Sequence, residues 1–230
     1  MAARPPNVGV LIPAGGRGER AGPGDPKQFR LIGGIPMLLR ALRPFARHPR
    51  VRSIVVALPE PDATAPPDWL GELIGDRLRV VPGGTTRRES VGCALRALDP
   101  ACTVVLVHDA ARPFVTLDDI DAIIEAVDTG RAAIVALPVS DTLKRADADH
   151  RIVETVPRER LWRAQTPQGF PRTLLERAYE EPARGAKAAT DDAALVEALG
   201  ADVMVVPGRT ANLKVTTPED FRLAEALVAQ

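Results

Sequence analysis

VGVLIPAGGRGERAGPGDPKQF, Val8–Phe29, opens on a short apolar run and passes directly into glycines and cations. The run Val8–Pro13 shows no polar alternation, the pattern of a strand buried on both faces of a parallel sheet. Similar runs rich in Val, Ile and Leu recur at Ser53–Pro59, Leu78–Gly84, Thr103–Ala111, Ala132–Thr142 and Ala201–Gly208. Amphipathic stretches at Pro36–Ala46, Arg88–Leu98, Leu117–Asp128 and Arg172–Tyr179 lie among them. This alternation predicts an α/β fold: a Rossmann-like, mostly parallel sheet flanked by helices on right-handed crossovers. A last helix is signalled by Thr217 as its cap and Pro218 in its first position. Pro59–Trp69 reads as a proline-rich surface loop, and Glu180–Asp192 as a long connection between two helices.

One segment breaks the alternation. Ser140–Thr155 reads as two strands around a polar turn at Ala146–His150. A hairpin inserted late in such a domain projects from the body, and a second copy of the chain is the economical surface for it to pack on. The expectation is a single domain over residues 1–230 with a β-arm at about 140–156.

Bulk composition narrows the function. The chain has 230 residues, enough for a full core, and 45% of them are hydrophobic, which excludes a disordered chain. Lys+Arg and Asp+Glu are each 30, so the broad positive field of a nucleic-acid or anionic-membrane binder is missing. Cys93 and Cys102 form no CxxC pair and no metal set with the three histidines, which suits reduced thiols. The N-terminal apolar run is too short for a signal peptide or a membrane span. A cytoplasmic protein is expected.

In an open α/β sheet, ligands bind beyond the carboxyl ends of the strands. Polar clusters fall there after Pro13, around Gly83–Ser90, at Asp109–Arg112 and at Asp141–Arg145. Gly15, Gly16 and Gly18 could free backbone N–H groups for phosphate oxygens. The dinucleotide fingerprint is met loosely by Gly16, Gly18 and Ala21, but Gly22, Pro23, Gly24 and Pro26 forbid the helix it requires. The Gly-Lys-Ser/Thr of a P-loop is missing too. What remains is a glycine loop bracketed by Arg20 and Lys27, suited to a triphosphate whose charge shifts during reaction. A solvated Gly/Pro turn with surface arginines is the competing reading.

Other motifs could complete such a site. Asp109, ending the Thr103–Ala111 strand, could hold a hydrated Mg²⁺, and Arg112 could grip a phosphate in bidentate fashion. An Asp capping the next turn and paired to Arg112 competes with that, and His108 reads as structural. Gly83, Gly84 and Ser90 could line a base and ribose, or form a plain strand-to-helix turn. Thr142, Arg158, Thr166, Thr190 and Lys214 supply hydroxyls and cations from distant segments, as a polar anionic small molecule would need. The Asp147–Asp149 pair looks like a glycosyltransferase metal motif, but its place in the hairpin turn favours chance.

PAGGRGERAG…DPKQF, VPGGTTRRESV, LVHDAARP, SDTLKR, LWRAQTPQGF, TDDAALVE and NLKVTTPED occur in one order along the chain. In that order and spacing the chain resembles the 2-C-methyl-D-erythritol 4-phosphate cytidylyltransferase family of the non-mevalonate isoprenoid pathway, from Val8 to Leu227. Ending at Gln230, it looks like that family's single-function form. The resemblance implies a nucleotidyltransferase-type fold, a Mg²⁺ cofactor and a homodimer joined through the β-arm. It implies that Arg20 and Lys27 stabilise the transition state, while Arg158 and Lys214 position the attacking phosphate. It places Pro13, Ala14, Gly15, Gly16, Gly83, Gly84, Thr85, Ser90 and Ala110 around CTP. Asp109 then lies near the metal and substrate, with Arg112, Thr142, Thr166 and Thr190 in the acceptor pocket. Thr142 and Arg158 would reach the partner's site on the arm. Gly15 stands where the family usually has alanine, and Ala21 where methionine is common; neither alters a charged role. Arg158, four residues before Trp162, fits the pattern better than Arg160.

The implied reaction joins CTP and 2-C-methyl-D-erythritol 4-phosphate and releases pyrophosphate. The acceptor phosphate is already anionic, so no general base is needed, and the lack of a Ser/His/Asp or Cys/His set agrees with that. The alternatives are a ribitol 5-phosphate cytidylyltransferase, sharing loop and fold, and a nucleotide-binding module without turnover.

Overall fold

The structure, a computed structural model, describes residues 7–16, 25–73, 75, 77–128, 130–181 and 190–229. The chain runs through β1 (Val8–Pro13), β2 (Leu31–Ile32), β3 (Ile35–Pro36), α1 (Met37–Arg47) and β4 (Val51–Leu58). Next come α2 (Glu60–Thr64), α3 (Asp68–Gly71), β5 (Leu78–Pro82), α4 (Arg87–Ala97), β6 (Val104–Val107) and α5 (Leu117–Asp128). β7 (Ala132–Pro138), β8 (Leu143–Ala146), β9 (Ile152–Val156), β10 (Trp162–Pro171) and α6 (Arg172–Glu180) follow. The described chain finishes with α7 (Asp192–Glu197), β11 (Val203–Pro207) and α8 (Pro218–Val228).

A seven-stranded sheet in the order β11-β7-β10-β6-β1-β4-β5 forms the centre. β1 pairs in parallel with β4 and β6, β4 with β5, and β7 with β11, as the apolar runs predict. The continuous runs are explained by burial on both faces. Val10 and Ile12, Ile54 and Val56, and Leu106 pack into one layer with α1 and α5. Their neighbours Leu11, Val55, Ala57, Val105 and Val107 pack into the other, against α4 and α6. Each strand thus has apolar side chains at both parities of its period of two.

β10 is a strand that periodicity does not reveal. It runs antiparallel to both β6 and β7, so the sheet is mixed at its middle. Its sequence, WRAQTPQGFP, carries buried Gln165, Thr166 and Gln168 instead of an apolar run. Gly169 is required by close approach: a Cβ there would meet Ile123 Cγ2 at 2.6 Å and Val127 Cγ2 at 2.7 Å, both on α5.

The expected loop at Pro59–Trp69 holds the short helices α2 and α3 instead. Pro59 and Pro67 stand at their N-caps, where the lack of an N–H costs nothing. The last helix begins as expected, with Thr217 Oγ1 accepting from the Asp220 N–H in a capping box.

β8 and β9 form a separate two-stranded antiparallel sheet, the predicted hairpin. Lys144 donates to Thr155 Oγ1 at 2.6 Å and Arg145 pairs with Glu154 at 2.7 Å. These contacts are exposed and contribute little. Ile152 and Val153 on β9 are 65% and 59% exposed. No helix among the described residues is long and apolar enough to cross a membrane.

Candidate active site

Two adjoining cavities open at the carboxyl ends of the parallel strands. The first, of about 250 Å³, begins at the end of β1, where Pro13, Ala14, Gly15 and Gly16 line it. Lys27 and Gln28, on the 3-10 turn Lys27–Phe29, face it from one side. Gly84, Thr85, Arg87 and Ser90, at the start of α4, face it from another, and Asp109, Ala110 and Lys214 close it. The structure therefore gathers eleven expected residues in one place, from five segments of chain: Pro13 through Gly16, Lys27, Gly84, Thr85, Ser90, Asp109, Ala110 and Lys214.

The start of α4 is built tightly. Thr86 Oγ1 accepts from the Glu89 N–H at 3.1 Å, and Glu89 Oε2 accepts from the N–H and hydroxyl of Thr85, each at 2.7 Å. The Thr85 hydroxyl, then the backbone N–H groups, hold the Glu89 carboxyl below its ordinary range. Ser90 Oγ donates to the Thr86 carbonyl at 3.0 Å and accepts from the Gly84 N–H at 3.2 Å. Gly84 has no room for a side chain, since a Cβ there would overlap Glu89 Cβ. Gly83 stands behind this turn, bonded to the Leu58 carbonyl at 2.7 Å, and does not line the cavity. An eleven-residue helix thus aims its positive end at the glycine-lined space, a natural seat for phosphate.

The second cavity, of about 210 Å³, shares Arg87, Asp109 and Lys214 with the first. Beyond that wall it is lined by Arg112, Ala164, Thr166 and Gln168 on one side and Thr190 and Asp191 on the other. Asp109 Oδ1 pairs with Arg87 Nε at 3.1 Å and Oδ2 with Lys214 Nζ at 2.7 Å. Burial alone would raise the Asp109 carboxyl; Arg87 and Lys214 outweigh it and hold the group well below the usual range. Asp109 is therefore ionised with both oxygens occupied by cations.

Beneath the wall, the hydrogen bonds fix a tautomer. The Arg112 carbonyl can only accept, so His108 Nε2 donates to it, at 3.0 Å. His108 Nδ1 then accepts from Thr166 Oγ1 at 3.0 Å, and Thr166 Oγ1 accepts from the Asp109 N–H at 3.0 Å. Burial holds the imidazole down at about 4, so His108 is neutral and structural, as expected. Thr166 thus lines the second cavity while its hydroxyl anchors the strand end bearing Asp109. Arg112 donates to the Asn212 carbonyl at 2.7 Å and the Ala164 carbonyl at 3.3 Å. Its guanidinium is partly committed to the scaffold, which narrows the expected bidentate grip on phosphate.

Some expected residues lie elsewhere. Thr142 and Arg158 are exposed at the base of the arm and line neither cavity. Arg158 donates to the Ser140 carbonyl. Arg20 lies outside the described residues. Asp147 Oδ1 accepts from the N–H groups of Asp149 and Arg151, so that aspartate builds the hairpin turn. Among the described residues no group of three or more His, Cys, Asp or Glu could hold a metal.

Arg87, Gln28, Gln168 and Asp191 are site residues that sequence reasoning passed over. The Thr86-x-x-Glu89 capping box was a usable signal for Arg87. It fixes the helix start and so places Arg87 in the first helical position, beside the strand ends.

Comparison with known proteins gives concordant matches. The family model described as IspD, 2-C-methyl-D-erythritol 4-phosphate cytidylyltransferase, matches residues 8–230. The chain is 51% identical to the Salinibacter ruber protein of that name, over 96% of this chain and 92% of that protein. It is 47% identical to the one from Frankia casuarinae, over 98% and 82%. Among solved structures, the 2-C-methyl-D-erythritol 4-phosphate cytidylyltransferase of Thermus thermophilus superposes with a TM-score of 0.81 at 38% identity, covering 97% of this chain and all of that one. The 4-diphosphocytidyl-2C-methyl-D-erythritol synthase of Anaerococcus prevotii superposes with a TM-score of 0.85 at 31% identity, covering 99% and 100%.

Proposed function

The chain belongs to the 2-C-methyl-D-erythritol 4-phosphate cytidylyltransferase family, and we propose that its two adjoining cavities divide that family's reaction between them. The protein transfers the CMP moiety of CTP to 2-C-methyl-D-erythritol 4-phosphate in isoprenoid precursor synthesis. The products are 4-diphosphocytidyl-2-C-methyl-D-erythritol and pyrophosphate. One observation carries the division of labour: Arg87, Asp109 and Lys214 form a wall common to both cavities. The glycine-lined side takes CTP, and the side with Arg112, Thr166 and Thr190 takes the acceptor.

An oxygen of the acceptor phosphate attacks the α-phosphorus of CTP. A new P–O bond forms as the bond to pyrophosphate breaks, and pyrophosphate leaves with the electron pair. No proton has to move, so the protein's work is positioning and charge stabilisation. The N–H groups of Gly15 and Gly16 would cradle the triphosphate, with the positive end of α4 facing it. Lys27, with Arg20, would meet the charge that builds on the α-phosphate. Lys214, held by Asp109 at the common wall, would set the acceptor phosphate in line.

Mg²⁺ would enter this site together with the triphosphate, with Asp109 as the carboxylate beside it. Asp109 is the one carboxylate bordering the first cavity among the described residues, and both its oxygens already hold cations. When bound there, the metal would offset triphosphate charge. The arm is proposed to pair two copies, with exposed Ile152 and Val153 at the contact, and to carry Thr142 and Arg158 to the partner's acceptor cavity. A cytoplasmic location suits the free thiols Cys93 and Cys102.

The assigned chemistry is tested by pyrophosphate release from CTP, UTP and ATP with 2-C-methyl-D-erythritol 4-phosphate or ribitol 5-phosphate. Turnover is expected with CTP and the methylerythritol phosphate, and at least about tenfold less kcat/KM, or 1.4 kcal/mol, for each other pairing. Equal use of ribitol 5-phosphate would overturn the acceptor assignment.

A further inference from the structure

Arg87 joins two parts of the site that the chain keeps far apart. Its Nε lies 3.1 Å from Asp109 Oδ1, and its Nη2 lies 2.8 Å from Asp192 Oδ2. Asp192 is 1% exposed and lines neither cavity. Its other oxygen accepts from the Tyr179 hydroxyl at 2.5 Å. The Asp109 end continues to Lys214 at 2.7 Å. A chain of polar contacts therefore runs from Tyr179 on α6, through Asp192 on α7 and Arg87 on α4, to Asp109 and Lys214.

The Asp192 end of this chain belongs to the acceptor side. Thr190 and Asp191, which border the second cavity, directly precede Asp192. Asp191 accepts from Gln168 Nε2 at 2.8 Å and caps α7 through the Ala194 N–H at 3.0 Å. A buried ion pair is weak as a source of stability, because desolvation offsets its attraction. It does impose one geometry, since a carboxylate as buried as Asp192 cannot be left without its cation.

We propose that Arg87 is a positioning residue for the transfer: it fastens the segment carrying Thr190 and Asp191 to Asp109, and through Asp109 it sets where Lys214 points. Filling the acceptor cavity and aiming Lys214 then become one event. This role rests on reading the second cavity as the acceptor site. Lys214 and Arg87 share Asp109, so displacing one cation changes the hold on the other.

The test compares Arg87→Gln, Arg87→Lys and Asp192→Asn with the unsubstituted protein, reading kcat, KM for each substrate and the calorimetric Kd of CTP. For Arg87→Gln, kcat should fall at least about tenfold, within the roughly 100-fold that an ångström of misplacement costs. KM for the acceptor should rise, while the Kd of CTP stays within about threefold, less than 1 kcal/mol. Arg87→Lys should recover part of the loss, and Asp192→Asn should show the same split although it touches neither cavity. A kcat within threefold of the unsubstituted protein would overturn the role. So would a loss shared equally by CTP affinity and melting temperature and not recovered by lysine. Should Arg87→Gln fail to fold, Tyr179→Phe carries the same expectation, and an unchanged kcat there would count against it. Absence of turnover in the unsubstituted protein would instead strike at the assigned reaction itself.

Discussion

Lys27 and Asp109 do different electrostatic work. Asp109 is fixed before any substrate arrives, its charge maintained by Arg87 and Lys214 against the cost of burial. Lys27 lines the first cavity together with the start of α4. If Lys27 meets charge that appears chiefly in the transition state, Lys27→Ala should cost kcat about 100- to 1,000-fold, the scale of losing one stabilising donor. The Kd of CTP should change much less, and calorimetry beside steady-state pyrophosphate release separates the two. A turnover within a few-fold of the original would rule that role out. Lys27 could be singled out in the sequence because it brackets a glycine loop at the end of a buried strand, although a solvated turn explains the same pattern and its role came from the family resemblance. Arg87 could not, because two adjacent arginines at a helix start look like ordinary surface until Asp192 comes up from α7 to meet one of them.

Elements differ in how openly they announce themselves. β1, β6 and the Ile54–Leu58 part of β4 could be read directly, since burial on both faces leaves an unbroken apolar run. β10 could not, because Gln165, Thr166 and Gln168 trade apolar packing for hydrogen bonds to Asn212, His108 and Asp191. A strand that builds a site loses the pattern by which strands are recognised. α4 shows the opposite economy: one capping box both starts the helix and shapes the pocket. Thr86→Ala removes one half of that box and should cost about 1 kcal/mol. In a chain of this size that lowers the melting temperature by about 2–4 °C. An unchanged melting scan would mean that the box contributes nothing to stability.

The whole molecule combines a rigid sheet with an arm that leaves it. The hairpin was visible as a break in the α/β alternation, but the use proposed for it depends on a second copy that one sequence does not display. If Arg158 serves the partner's site, mixing Lys27→Ala and Arg158→Ala chains should restore activity that neither homodimer has. In a mixed dimer one site would then draw both intact residues, whereas a site served by its own arm would leave every dimer inactive. Pyrophosphate release after co-refolding the two variants reads this directly. The wall between the cavities has a consequence for how such a scaffold can diversify. Arg87, Asp109 and Lys214 border both cavities, so a substitution there alters the geometry in which the two proposed substrates would meet. A lineage drifting toward a new polyol phosphate can vary Thr190, and one drifting toward a new base can vary Thr85, each without disturbing the other. The three wall positions allow no such separate trial, and a change of substrate would have to be built around them.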